Sequence, residues 1–411
     1  MAEKRQPLLS PILLLFVGTM ILANIAGQMD LPLRPLYVQE LGANINQIGL
    51  FFTLGAIAPL LFQIFGGWLS DSVGRLEAIA IGSLGGVAGY IVYIVAPSWE
   101  WLLIASVTSA MAFAFVGPSF SAFIAEQSTD ENRGRVYGIM QTMYTIVGVI
   151  GPPVGGLIAQ GLSFKAMFIV AGVLYGIAAL IRIAMARYAG KNGQSAATRE
   201  KPTFANLKSS MAAIFGMVMA GGIVTWIFVT DGINDIANGM SFQLTPLYLE
   251  NIMGLSLIQI GVLTSISSVA IMLLSGFGGW LSDKKGERVG IMSGFVSLAV
   301  GWAVFMIART YMAFVVTAVL FGISQALSGP SYNSLISKAV PEKLRGTAFG
   351  LFATSLGIIS LPAPWIGTQL WEHYAPLVPF FVTLVAVLLI LPVVWLNFKL
   401  PPASSPQEVE S

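Results

Sequence analysis

Gly66–Arg75 reads GGWLSDSVGR, and Gly278–Arg288 reads GGWLSDKKGER. The run from Gly66 to Asp71 recurs unchanged from Gly278 to Asp283, 212 positions on. The same offset joins Gly42 to Gly254, Gln47 to Gln259, Gly49 to Gly261 and Gly74 to Gly286. It joins Gly117-Pro118-Ser119 to Gly329-Pro330-Ser331 and Arg133-Gly134 to Arg345-Gly346. Gly138 meets Gly350, Pro152 meets Pro364 and Gly155 meets Gly367 in the same way. One offset held through half a chain means two copies of one unit. At about 200 residues, a repeat indicates duplicated bundles rather than short solenoid turns.

The surroundings of the repeat say where it lives. The 411 residues are 56% hydrophobic and 10% charged, against about 25% charged in a soluble domain. Apolar runs of about 20 residues recur, the length that crosses a hydrocarbon core. In lipid the backbone must satisfy itself, so these runs are helices. They cover 8–38, 45–69, 78–96, 101–124, 136–162 and 166–183, then 219–249, 258–281, 289–307, 311–336, 348–370 and 377–398. The expected fold is an all-α integral membrane protein: 12 helices in two six-helix bundles related by a pseudo-two-fold axis. The expected divisions are 1–187 and 209–400 for the bundles, a linker at 188–208 and a disordered tail at 401–411. The start of the seventh span is open, because Gly221-Gly222 could break it from the segment before. Lys4 and Arg5 precede an apolar run longer than a signal peptide's, which reads as a retained first span.

Eighteen of the 21 Lys and Arg, Arg182 among them, fall at the N-terminus, the linker or the loops on that side. Only Arg34, Lys165 and Arg309 fall elsewhere. Cationic loops stay in the cytoplasm, so both termini are expected there, in a bacterial-type plasma membrane. There is no cysteine, so no disulfide, thiolate metal site or Cys nucleophile exists. The net charge of +2 gives no footprint for nucleic acid. No metal-protease, phosphate-loop or nucleophile-elbow pattern occurs, so no enzyme activity, metal or cofactor is expected.

At this point the chain resembles the major facilitator superfamily, and within it the 12-helix drug:proton antiporters. Gly67–Arg75 resembles the family's loop signature between helices two and three, and Gly279–Arg288 its second-half version. Asp130–Gly134 and Glu342–Gly346 resemble the acidic-to-Arg-Gly loops after helices four and ten. Gly148–Gly156 resembles the fifth-helix motif of drug and proton antiporters. Two departures stand out. Ser72 and Leu76 replace usual basic residues, and 101–124 lacks the charge that many antiporters carry in helix four. The resemblance implies alternating access, a cavity lined by helices one, four, seven and ten, and a monomer.

Candidate functional residues fall in three groups. A conformational latch is expected from Asp71, Arg75, Glu126, Arg133, Asp283, Glu287, Lys338 and Arg345. Arg75 matches Glu287 in the repeat and Glu126 matches Lys338, so both signs exchange together. That exchange predicts two ion pairs, Arg75–Glu126 and Glu287–Lys338. A packing motif is expected at Gly151, Pro152, Gly155 and Gly156, where missing side chains admit another backbone and proline bends the helix.

The third group is the transport site. Intramembrane polar and ionisable groups are costly and usually face the interior. The first span carries Asn24, Gln28, Asp30 and Arg34, and the seventh Asp231, Asn234, Asp235, Asn238 and Thr245. The latter five share an arc of about 100° on a helix. A carboxyl shielded from water releases its proton less readily, which makes Asp235, then Asp231, the expected proton carrier. Asp30 and Arg34 sit four apart and can pair; pairing opposes proton uptake, so Asp30 reads as a gate or substrate ligand. Gln325 and Ser328 add neutral hydrogen bonding, and Phe113, Phe115, Tyr144 and Trp226 could add aromatic surface. An anionic substrate would find only Arg34. His373 reads as a surface residue. The leading function is proton-coupled efflux of a hydrophobic or amphipathic small molecule. Proton symport of a sugar or other nutrient is the alternative, and a non-transporting sensor or lipid-binding protein on the same fold is the third reading.

Overall fold

The computed structural model describes residues 11–62, 74–127, 133–191, 216, 218–219, 221–340 and 357–398. Every regular element among them is helical. Residues 66–73 of the first opening signature and the tail lie outside them, as does the linker from residue 192.

The first expected span is two helices, α1 (Pro11–Asp30) and α2 (Arg34–Glu40). Pro32 and Pro35 are the cause. Proline removes a backbone donor and clashes with the preceding turn, yet suits the first turn of a new helix. Next come α3 (Ile45–Gly55), α4 (Arg75–Val95), α5 (Leu102–Gln127), α6 (Arg133–Gly161) and α7 (Phe164–Lys191). The second copy begins where Gly221 and Gly222 adopt φ of 82° and 93°, a break that starts α8 at Ile223. It continues as α8 (Ile223–Phe242), α9 (Leu244–Leu247) and a π turn at Tyr248–Ile252. Then follow α10 (Leu257–Lys285), α11 (Glu287–Ile307), α12 (Tyr311–Ala339), α13 (Ala363–His373) and α14 (Val378–Asn397).

Repeat mates do the same local work. Asn44 and Gln47 form a reciprocal cap on α3; Ser256 and Gln259 form one on α10. Gly42 and Gly254 turn at φ 93° and 68°, where a side chain would be strained. Among the described residues, ten helices are long and apolar enough to cross a membrane.

Packing repeats as well. Helix α1 packs on α6 and α7, and α8 packs on α13 and α14. Helix α4 packs on α5 and α7, and α11 on α12 and α14. A Cβ at Gly155 would lie 2.1 Å from the Met29 carbonyl oxygen; at its mate Gly367 it would lie 2.2 Å from that of Met240. These helices therefore touch backbone to backbone. Tyr37 and Tyr93 pack on Phe168 at 4.7 and 4.6 Å. Their counterparts Tyr248 and Phe305 pack on Phe380 at 5.4 and 4.8 Å.

Candidate functional site

The copies join through two mated helix contacts, α6 with α10 and α3 with α13. A Cβ at Gly261 would meet the Pro152 carbonyl oxygen at 2.4 Å, and one at Gly49 the Pro364 oxygen at 3.0 Å. Gly156 meets Leu257 across the same seam, its Cβ falling 2.6 Å from that carbonyl oxygen. Gly151 and Gly155 face Gln28 and Met29 of α1 instead. The fifth-helix motif thus packs within its copy and across the seam.

At the end of the seam opposite the start of α1 and the end of α14, paired polar contacts close it. Gln160 accepts from the Ile258 N–H at 3.2 Å, and its mate Glu372 accepts from the Asn46 N–H at 3.2 Å. Asn46 also donates from its side chain to Glu372 and accepts from Gln369 at 2.6 Å. Asn251 donates to Gln39 at 3.0 Å across a separation of 212 residues, the repeat offset itself. Two mates that touch must do so on the pseudo-two-fold axis. Beside them, burial pushes the carboxyls of Glu40 and Glu250 above the usual range, and Glu40 pushes Glu250 further. Lys165 opposes the rise at Glu40.

In the second copy, α8 carries the polar stripe. Asp231 lies beside the Tyr332 hydroxyl, which is 3.4 Å from Thr230 Oγ1. Asp235 stands one turn further on. Among the described residues neither carboxylate has a basic partner within ion-pair distance. Asn238 donates to Asn234 Oδ1 at 2.8 Å, and Thr245 donates to the Ser241 carbonyl at 3.0 Å. Gln325 is exposed, while Ser328 packs under Gly294 of α11 rather than beside the stripe.

The first copy is different. Asp30 is 1% exposed and takes Arg34 Nε at 2.9 Å and Nη2 at 2.5 Å on one oxygen. The guanidinium lies over Tyr93 at 5.6 Å, and the other Asp30 oxygen has no hydrogen-bond partner among the described residues. Asn24 donates to the Met20 carbonyl at 2.7 Å. Arg182 overturns its expected place among the cytoplasmic loops: it is 2% exposed inside the first bundle. It donates to Thr19 Oγ1 and Ser83 Oγ at 3.1 Å, to the Thr19 carbonyl at 3.2 Å and to Met20 Sδ at 2.9 Å. Arg34, which is half-buried, is therefore not the only cation within the bundles. Beside this cluster a cavity of about 10 Å³ is lined by Met20, Asn24, Phe120, Met140, Met143 and Tyr144. Of the other three expected aromatics, Phe115 is buried, and Phe113 and Trp226 are exposed.

Lys338 and Glu287 form the ion pair that the sign exchange predicts, and Ser334 donates to the same carboxylate oxygen at 2.9 Å. Asp283 is exposed near the end of α10. Asp71, Arg345 and the side chains of Glu126 and Arg133 lie outside the described residues, so the partner expected of Arg75 does too. Among the described residues no cluster of His, Cys, Asp and Glu could hold a metal ion.

Sequence missed Tyr332, Arg182, Gln39 and Asn251. Tyr332 had a signal: it lies seven residues, two helical turns, after Gln325. Gln39 and Asn251 had one in the offset.

Comparison with known proteins supplies the name of this architecture. The profile of the Major Facilitator Superfamily matches residues 12–235 and 227–411. The chain is 27% identical over 351 residues to a multi-drug resistance efflux pump PmrA homolog of Lactococcus lactis, covering 81% of this chain and 82% of the relative. It is 24% identical over 375 residues to the class C tetracycline resistance protein of Escherichia coli, covering 88% and 90%. The solved structure of a nucleoside transporter NupG variant superposes with a TM-score of 0.78 at 15% identity, over 94% of this chain and 99% of that one. The protein is an integral membrane transporter rather than an enzyme, and it belongs to the Major Facilitator Superfamily.

Proposed function

We propose that the chain exports a hydrophobic or amphipathic small molecule in exchange for protons, by alternating access. The observation that carries this reading is the α8 stripe: two carboxylates on a membrane helix, no base paired with them among the described residues, and a tyrosine hydroxyl beside one. A group that must take up and release H⁺ needs this freedom from a fixed counter-charge. The efflux pump and the tetracycline resistance protein to which the chain is similar support export.

In this reading the bundles at 1–187 and 209–400 rock about the seam, and the termini and linker are cytoplasmic. The paired polar contacts then close the outer side, and the Glu287–Lys338 pair steadies the inner end of the second bundle. The unit is a monomer. The test is flux of a fluorescent amphiphile in proteoliposomes under an imposed pH gradient. Asp235→Asn is expected to abolish gradient-driven flux. Unchanged gradient-driven flux would remove Asp235 from the mechanism.

A further inference from the structure

The cavity beside Asn24 has an odd composition. Its walls are methionine, branched aliphatic and aromatic side chains, and its polar groups are Asn24 and Tyr144. Its volume of about 10 Å³ fits about one water-sized group. Asn24 already donates one amide proton to the Met20 carbonyl. It lies beside the Tyr144 hydroxyl, which also feels the charge of Arg182. Behind the cavity wall Arg182 grips Met20 Sδ and both oxygens of Thr19. All of the acceptors found for its N–H groups are neutral, and no carboxylate pairs with it among the described residues. A fixed cation in a low-dielectric interior projects a strong field, and it raises the worth of a hydroxyl donating to an oxygen.

Asn24 is also the repeat counterpart of Asp235, shifted by one residue. By the repeat the two stand at one depth on opposite sides of the pseudo-two-fold. The first copy thus places the buried cation Arg182, on α7, behind α1, and the second places its carboxylates on α8.

We infer that Asn24 and Tyr144, backed by Arg182, form a subsite for one acceptor oxygen of the substrate, a carbonyl, phenolate or carboxylate. The substrate class is then dipolar: a basic group toward Asp231 and Asp235, an oxygen acceptor toward Tyr144 and an apolar body between. The assignment rests on the transport reading above, since the substrate must lie between the two copies.

Two fluorescent probes test it on the full chain in detergent. Tetracycline carries an amine and a row of carbonyl and enol oxygens; ethidium carries a cation and no carbonyl. Tyr144→Phe removes only the hydroxyl. It should raise the tetracycline Kd about tenfold, the loss of one hydrogen bond, and leave the ethidium Kd unchanged. Arg182→Gln should weaken tetracycline selectively, and Arg182→Lys, which keeps the charge, should recover part of the loss. Equal loss for both probes, no loss for tetracycline, or binding of ethidium alone by the unaltered chain would overturn the subsite. Gradient-driven ethidium flux by the unaltered chain is the separate reading of antiport. If it fails while Tyr144→Phe still discriminates in binding, the subsite stands and proton coupling falls.

Discussion

The two copies have the same skeleton and opposite polar contents. Gly155 on Met29 and Gly367 on Met240 are one contact made twice. So are Tyr37–Phe168 and Tyr248–Phe380. In their membrane interiors the copies part company. The first holds a closed Asp30–Arg34 pair and the caged cation Arg182; the second holds Asp231 and Asp235 with no base paired with them among the described residues. Thr19 and Thr230, counterparts in the repeat, show the division at one position. Thr19 holds Arg182 while Thr230 reaches Tyr332. Backbone contact tolerates almost no change, so duplication preserves it. Side chains in the membrane interior are free to diverge, and divergence there gives one fold an electrical direction.

The largest effect is expected from moving the carboxylate across the axis. Asn24→Asp combined with Asp235→Asn keeps the number of acidic groups and changes their side. Gradient-driven flux should fall about 100-fold, the scale of a lost proton-transfer group, because a carboxylate at position 24 would share the interior of the first bundle with the buried cation Arg182. Restored flux in proteoliposomes would show that any carboxylate on the seam suffices.

Likeness of the skeletons is tested by Gly155→Ala and Gly367→Ala. Each forces a methyl into a carbonyl, which costs about 1–3 kcal/mol. Thermal unfolding of the purified chain should shift downward by similar amounts for the two variants. A large shift for one and none for the other would mean that the copies do not share their packing.

The smallest effect is on pH at the sealed end. The carboxyls of Glu40 and Glu250 sit above their ordinary range in this sealed arrangement. A group with a raised value binds its proton more tightly here than when the ends part. Acid therefore favours the seal, and the gain disappears as pH rises through the raised values. Spin labels replacing Glu100 and Met312, exposed counterparts at that end, should report a few-fold shift toward the separated population on going from acid to neutral pH. Glu40→Gln with Glu250→Gln should flatten the response.

The fold was legible because a constant offset survives in turns, caps and glycine contacts, where geometry leaves few residue choices. Asp30–Arg34 was legible from a spacing of four, and Glu287–Lys338 from a sign exchange between copies. The break at Gly221-Gly222 was visible as an option and taken. Arg182 was not legible. Near the end of an apolar run a cation reads as a loop residue, and its partners Ser83 and Thr19 lie 99 and 163 positions away. Ser328 misled for a similar reason: its helix was right, but only packing reveals that it faces Gly294.

The bond between Gln39 and Asn251 carries a consequence for the ease of the cycle. It is exposed, as are the contacts of Gln160 and Glu372 beside it. Water can replace each partner as the ends separate, so no orphaned donor or acceptor is left behind. A closure made of such bonds holds two states near equal free energy, where a modest bias from ligand or proton decides which one is populated.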